Sequence, residues 1–131
     1  MPTLTAWSPR VLSLLRLMAG LLFMEHGLMK LVHFPAPQPG VPTPLPPLLV
    51  AAAIIEILCG ALITLGLFTR IVAFIASGEM AIAYFMVHAP KSPWPAINQG
   101  DAAVLFCFVF LYLVFAGPGD WSLDAAIRKR P

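Results

Sequence analysis

The chain has 131 residues, 60% of them hydrophobic and only 11% charged, with a formal net charge of +2 and a mean hydropathy of +0.87. Soluble domains carry about 25% charged residues, so this inventory cannot clothe a water-facing surface and excludes a soluble four-helix bundle. The small net charge gives no reason to invoke nucleic acid, and the length suits a single domain, 1–131.

Four segments are long and apolar enough for helices crossing a hydrocarbon core, which needs about 17–25 residues. The first is expected over 10–32. Its first basic residue is Arg10, its apolar run is long and no A-x-A site follows, so it reads as a retained membrane helix rather than a signal peptide. A proline-dense stretch from His33 to Pro47 then precludes helix or sheet and predicts an extended loop. The second span is expected over 48–68 and the third over 71–88. Thr69-Arg70 alone would join these two in a tight antiparallel hairpin. Ala89 to Ile97, with Pro90, Pro93, Trp94 and Pro95, reads as an interfacial loop. The fourth span is expected over 98–116, with Asn98 as N-cap and Asp101 at the third helical position. Gly117-Pro118-Gly119 stops it, and 117–131 forms an interfacial tail ending in Arg128-Lys129-Arg130. That basic tail reads as a topology signal and a contact for anionic lipid.

The expected fold is therefore all-α, a polytopic membrane four-helix bundle. Trp7, Trp94 and Trp121 all fall at predicted helix ends, as an interfacial aromatic belt requires. One side collects Arg10, Arg16, Arg70, Arg128, Lys129 and Arg130, and the other only Lys30 and Lys91. The positive-inside rule then puts both termini in the cytoplasm of a bacterial inner membrane. Arg16, a turn or two inside the first helix, is expected to snorkel to the inner surface.

Ionisable groups are costly in a bilayer and commonly mark working sites. Glu25, His26 and Lys30 fall in the outer half of the first helix. Glu56 falls about 12 Å below the outer surface and Glu79 near the midplane, at about 1.5 Å per helical residue. His88, Asn98 and Asp101 surround the outer mouth. His26, Lys30 and His33 are spaced i, i+4, i+7 on one face. Glu56 lies between Ala52 and Gly60, and Glu79 between Ala76 and Ala83, small residues that let neighbouring helices approach a polar group. The candidate proton-handling residues are thus Glu25, His26, Glu56, Glu79 and Asp101; the candidate ligand contacts are Lys30, Tyr84, His88, Trp94 and Asn98. Each also has a plain structural role open to it, in helix packing for the carboxylates and at the interface for His88. His26 beside Glu25 reads as a proton-accepting pair or a metal ligand set; no zinc or haem ligand spacing is present, which favours hydrogen bonding, and no metal ligand is assigned. Cys59 and Cys107 read as small buried apolar residues rather than a disulfide.

Glu25-His26-Gly27-Leu28-Met29-Lys30-Leu31, Glu56 in a small-residue helix, and Gly66-Leu67-Phe68-Thr69-Arg70 resemble the DoxX family. So do Ala83-Tyr84 with His88, Trp94-Pro95 through Asn98-x-Gly100-Asp101-Ala102, and Gly117-Pro118-Gly119 with Ser122-Leu123-Asp124-Ala125. These pieces run in order over about residues 10 to 127. The resemblance implies a four-helix membrane bundle. It also points to a subunit linked to a thiosulfate:quinone oxidoreductase, to complexes handling thiol and oxidative stress, or to assembly factors for receptors.

Three readings stay open. In the first, a membrane subunit of a redox or thiol-stress system binds a quinone or small sulfur-containing molecule in an outer-half polar pocket. No flavin, haem or iron–sulfur motif appears, so electrons would need a bound quinone or a membrane or soluble partner protein. In the second, the protein is a non-catalytic scaffold or assembly factor in the lipid bilayer. In the third, it is a small transporter that would have to work as a homo-oligomer.

Overall fold

Much of the outer surface is apolar. Ile71, Phe74, Phe108 and Phe115 are 70%, 66%, 63% and 75% exposed, and they belong to a far wider apolar surface. Water-soluble monomers rarely leave such patches open, whereas hydrocarbon favours them provided the backbone is satisfied within helices. A computed structural model describes residues 2–128; Lys129 and Arg130 of the expected basic tail lie outside the described residues. The fold is all-α.

Helix α1 spans Pro2–Leu31, α2 Pro47–Leu65 and α3 Thr69–Ala83. A π-helical turn, Tyr84–His88, and a 3-10 turn, Ala89–Lys91, prolong α3. Then come α4, Pro95–Asn98, α5, Asp101–Ala116, and α6, Leu123–Arg128. Among the described residues, three helices are long and apolar enough to cross a membrane, Thr3–Leu31, Pro47–Leu65 and Thr69–Lys91, while Asp101–Ala116 is a shorter apolar helix.

Several boundaries differ from the sequence expectation for identifiable reasons. Helix α1 begins before Arg10 and contains Pro9, because a helix continues through polar turns that hydropathy does not register. Helix α2 opens with Pro47 in its first turn, where a missing N–H costs nothing. It closes at Gly66 (φ 72°), with the Gly66 N–H donating to Ile63 O and the Leu67 N–H to Leu62 O, a Schellman stop that a left-handed glycine permits. The link to α3 is therefore Gly66-Leu67-Phe68 rather than Thr69-Arg70. The stretch expected as a loop from Ala89 to Ile97 is largely helical. Asn98 ends α4 instead of capping α5, whose flanking residue is Gly100. Its Oδ1 accepts the Gly100 N–H at 2.8 Å and its Nδ2 donates to Tyr84 Oη at 3.1 Å and Ser92 O at 2.9 Å.

Helix α1 packs chiefly on α2, and α3 on α5. Phe23, Ile63, Phe110 and Leu113 are fully buried at the centre, with the Phe23 and Phe110 rings 4.8 Å apart edge to face. Glycine sets the spacing of α1 and α2: a Cβ on Gly60 would lie 2.7 Å from Met24 N. At the end of the molecule away from the 33–46 loop, Arg16 is only 3% exposed. It does not snorkel. Its guanidinium donates to Ile63 O at 2.9 Å, Thr64 O at 3.4 Å, Trp121 O at 2.9 Å and also Pro118 O. It thereby ties carbonyls at the end of α2 to those of the loop after α5, where helical pairing runs out. Arg70 Nη1 does the same for Val114 O at 2.8 Å and Phe115 O at 2.7 Å.

Candidate functional site

His26 and Lys30 are one helical turn apart and share a face of α1. Between them Gly27 brings α1 against α2: a Cβ there would lie 2.7 Å from Ala53 O and 2.9 Å from Glu56 Cβ. That approach places Lys30 Nζ 2.7 Å from Glu56 Oε1, an ion pair in which Glu56 is almost wholly buried. A buried carboxylate without such a partner would be strongly destabilising. Glu79 of α3 lines the same cavity as Glu56, and its Oε1 is buried and has no partner.

These groups line a cavity of about 430 Å³ between α1, α2, α3 and α5, within the size range of small-molecule sites. Phe23, Met80, Ala83, Ala103 and Phe106 supply apolar wall, and Gln38 to Pro42 of the proline-rich loop border it. The His26 ring meets the Phe106 ring edge to face at 5.7 Å. Gln38 Nε2 donates to His26 Nδ1 at 3.2 Å, so a neutral His26 carries its proton on Nε2. Gln38 Oε1 is buried without a partner. His88 Nδ1 lies 3.0 Å from Asn98 O. A carbonyl only accepts, so that nitrogen carries the proton and Nε2 is left as the acceptor of the neutral ring.

Of the residues singled out from sequence, His26, Lys30, Glu56, Glu79 and His88 come together around the cavity. Tyr84 and Asn98 do not line it; they hydrogen-bond to each other, and the Asn98 carbonyl orients His88. Glu25, Trp94 and Asp101 are exposed and outside the lining. His33 lies past the end of α1, at φ 59° and exposed, so the shared face stops at Lys30. Sequence reasoning missed Gln38, Lys91 and Gln99 among the lining residues. The one available signal for Gln38 was a lone carboxamide among prolines. Among the described residues no three His, Cys, Asp or Glu side chains group as metal ligands, and Cys59 and Cys107 are free thiols.

A DoxX family profile matches residues 11–89. An uncharacterized protein of Haemophilus influenzae is 39% identical over 134 residues, covering 99% of this chain and 100% of its own length. An uncharacterized membrane protein of Mycobacterium tuberculosis is 26% identical over 142 residues, covering 97% of this chain and 87% of its own length. No solved structure matches the chain. With the profile extending over more than half of its length and the apolar spans already described, the chain belongs to the DoxX family and is a multi-pass integral membrane protein.

Proposed function

We propose that the protein is a four-span inner-membrane subunit of a redox or thiol-handling system. Its cavity binds a quinone-like ring, or a small sulfur-containing molecule of similar size, and exchanges protons with it through Glu79 and Glu56. The observation that carries this reading is the Lys30–Glu56 ion pair on the wall of a cavity that a second carboxyl, Glu79, also lines with an unpartnered oxygen. An ion pair alone would suffice to fix helix packing. A second carboxyl added to it costs stability and is explained by proton exchange. Phe23 and Phe106 offer apolar ring surface above the polar floor, the usual division of labour in a small-molecule site. His26 and His88, each tied to a partner through Nδ1, add proton-exchanging groups at the walls. Electrons pass between the ring and a partner protein.

Both termini are on the cytoplasmic side in this reading, and the cavity opens in the outer half. Arg10, Arg16, Arg70 and Arg128 support that sidedness, against Lys30 and Lys91 beside the cavity. Helix α5 is the fourth span, with α4 carrying the chain along the outer surface.

In lipid nanodiscs, Glu56→Gln and Glu79→Gln should each lower affinity for the duroquinone/durohydroquinone couple about tenfold or more, as expected for losing a charge-assisted buried contact. Helix content and monodispersity should stay as in the wild type. Wild-type affinity in both variants would remove the reading.

A further inference from the structure

Two atoms on the cavity wall, Gln38 Oε1 and Glu79 Oε1, are buried and unpartnered; the first is an acceptor, and the second is one whenever it does not itself carry the carboxyl proton. Gln38 gives one N–H of its amino group to His26, while its carbonyl oxygen has no partner at all and is the atom a ligand donor would satisfy. His88, which also lines the cavity, has its proton committed to the Asn98 carbonyl, and Nε2 is the acceptor it keeps. The donors at the wall are differently placed. Lys30 and His26, whose Nε2 carries the proton, are partly exposed, with Lys30 bonded to Glu56, and Lys91 and Gln99 are exposed. A donor that water already reaches gains little from a ligand carbonyl, whereas a buried acceptor gains its full hydrogen bond from a ligand O–H.

From this asymmetry we infer that the cavity selects its ligand by hydrogen-bond donors and holds the reduced, dihydroxyl form of the ring in preference to the oxidised, dicarbonyl form. The inference rests on the proposed function, in that it takes the occupant to be a quinone-like ring. It adds the redox state that the site recognises. Gln38 and Glu79 accept the hydroxyl protons while Phe106 provides apolar surface for the ring. A thiol-bearing occupant would be recognised by the same acceptors, through a weaker donor.

The test compares three probes of one shape: durohydroquinone, duroquinone, and the dimethyl ether of durohydroquinone, which keeps the ring and has no donor. Each is titrated anaerobically by calorimetry into the full-length protein in nanodiscs. The hydroquinone is expected to bind at least about tenfold tighter than either donor-free probe, the ratio for one to two well-made buried hydrogen bonds. The Gln38→Met variant, a loop change of similar length outside the helices, should reduce that ratio severalfold. Equal affinity for the two redox forms, or preference for the quinone as an amino group turned to the cavity would produce, overturns the inference and leaves the ring site standing. A ratio unaltered in Gln38→Met overturns the role given to Gln38. Failure of both redox forms to bind overturns the inference and the proposed function together.

Discussion

Asp124 illustrates how single side chains complete helices that lack caps of their own. Helix α3 begins after Phe68, which has no capping side chain and sits at φ 53°. The cap comes from α6: Asp124 Oδ1 accepts the Phe68 N–H and Oδ2 the Thr69 N–H, both at 2.9 Å. Partial burial works against the charged carboxylate, but the Thr69 and Phe68 N–H groups, with Arg128 nearby, outweigh it and hold Asp124 below the usual aspartate range. A carboxyl whose folded pKa is lowered stabilises the fold fully above its unfolded value, about 3.9. That contribution is lost as pH falls through the folded value. Asp124→Ala should therefore cost about 1 kcal/mol at neutral pH, the usual worth of a capping side chain. It should also speed hydrogen exchange at the Phe68 and Thr69 amides. The wild-type amides should approach the variant's exchange protection only in acid, and equal protection in both proteins at pH 7 would refute the cap.

At the scale of elements, the pairing of α1 with α2 decides whether the polar groups can meet. Gly60 faces the Met24 backbone at 2.7 Å from a would-be Cβ, whereas Gly78 on the outer face of α3 has nothing within 4 Å. Gly60→Ala should push α1 from α2, costing about 1–3 kcal/mol by overpacking and loosening the Lys30–Glu56 contact. Gly78→Ala should be neutral or slightly stabilising, since alanine is the better helix former. Unfolding measurements in detergent check both, and equal tolerance would contradict the close packing. The long apolar segments themselves were legible from hydropathy, and so was the placing of Glu56 and Glu79 inside two of them. Which face each residue takes was not. In a membrane protein the lipid side and the core side are both apolar, so the helical hydrophobic stripe of a soluble bundle is absent. Glu25 and Asp101, which turn outward, therefore looked like Glu56 and Glu79, which turn in. Arg16 was misread for a related reason. Its partners are carbonyls of Ile63, Thr64, Pro118 and Trp121, and backbone groups leave no trace in composition. Gln38 depends on the path of a proline-rich loop that only the packed helices determine.

Taken whole, the molecule has two ends of different character. At one, arginines and Asp124 tie helix ends and the segment after α5 together through backbone bonds. At the other, a proline-rich loop and the turns after α3 surround a cavity that holds most of the interior ionisable groups. The apolar flanks between them need hydrocarbon, which is why the polar groups must be satisfied within the fold. The account depends most on α1, α2 and α3 bringing Lys30, Glu56 and Glu79 to one place. A double-mutant cycle on Lys30→Met and Glu56→Gln, read as unfolding free energy in lipid, tests this most directly. The account predicts that each single change destabilises and that the pair loses less than the sum, with a coupling of about 1–3 kcal/mol for contacting buried charges. Effects that add to within about 0.5 kcal/mol would show that the two side chains do not meet, and would contradict the site.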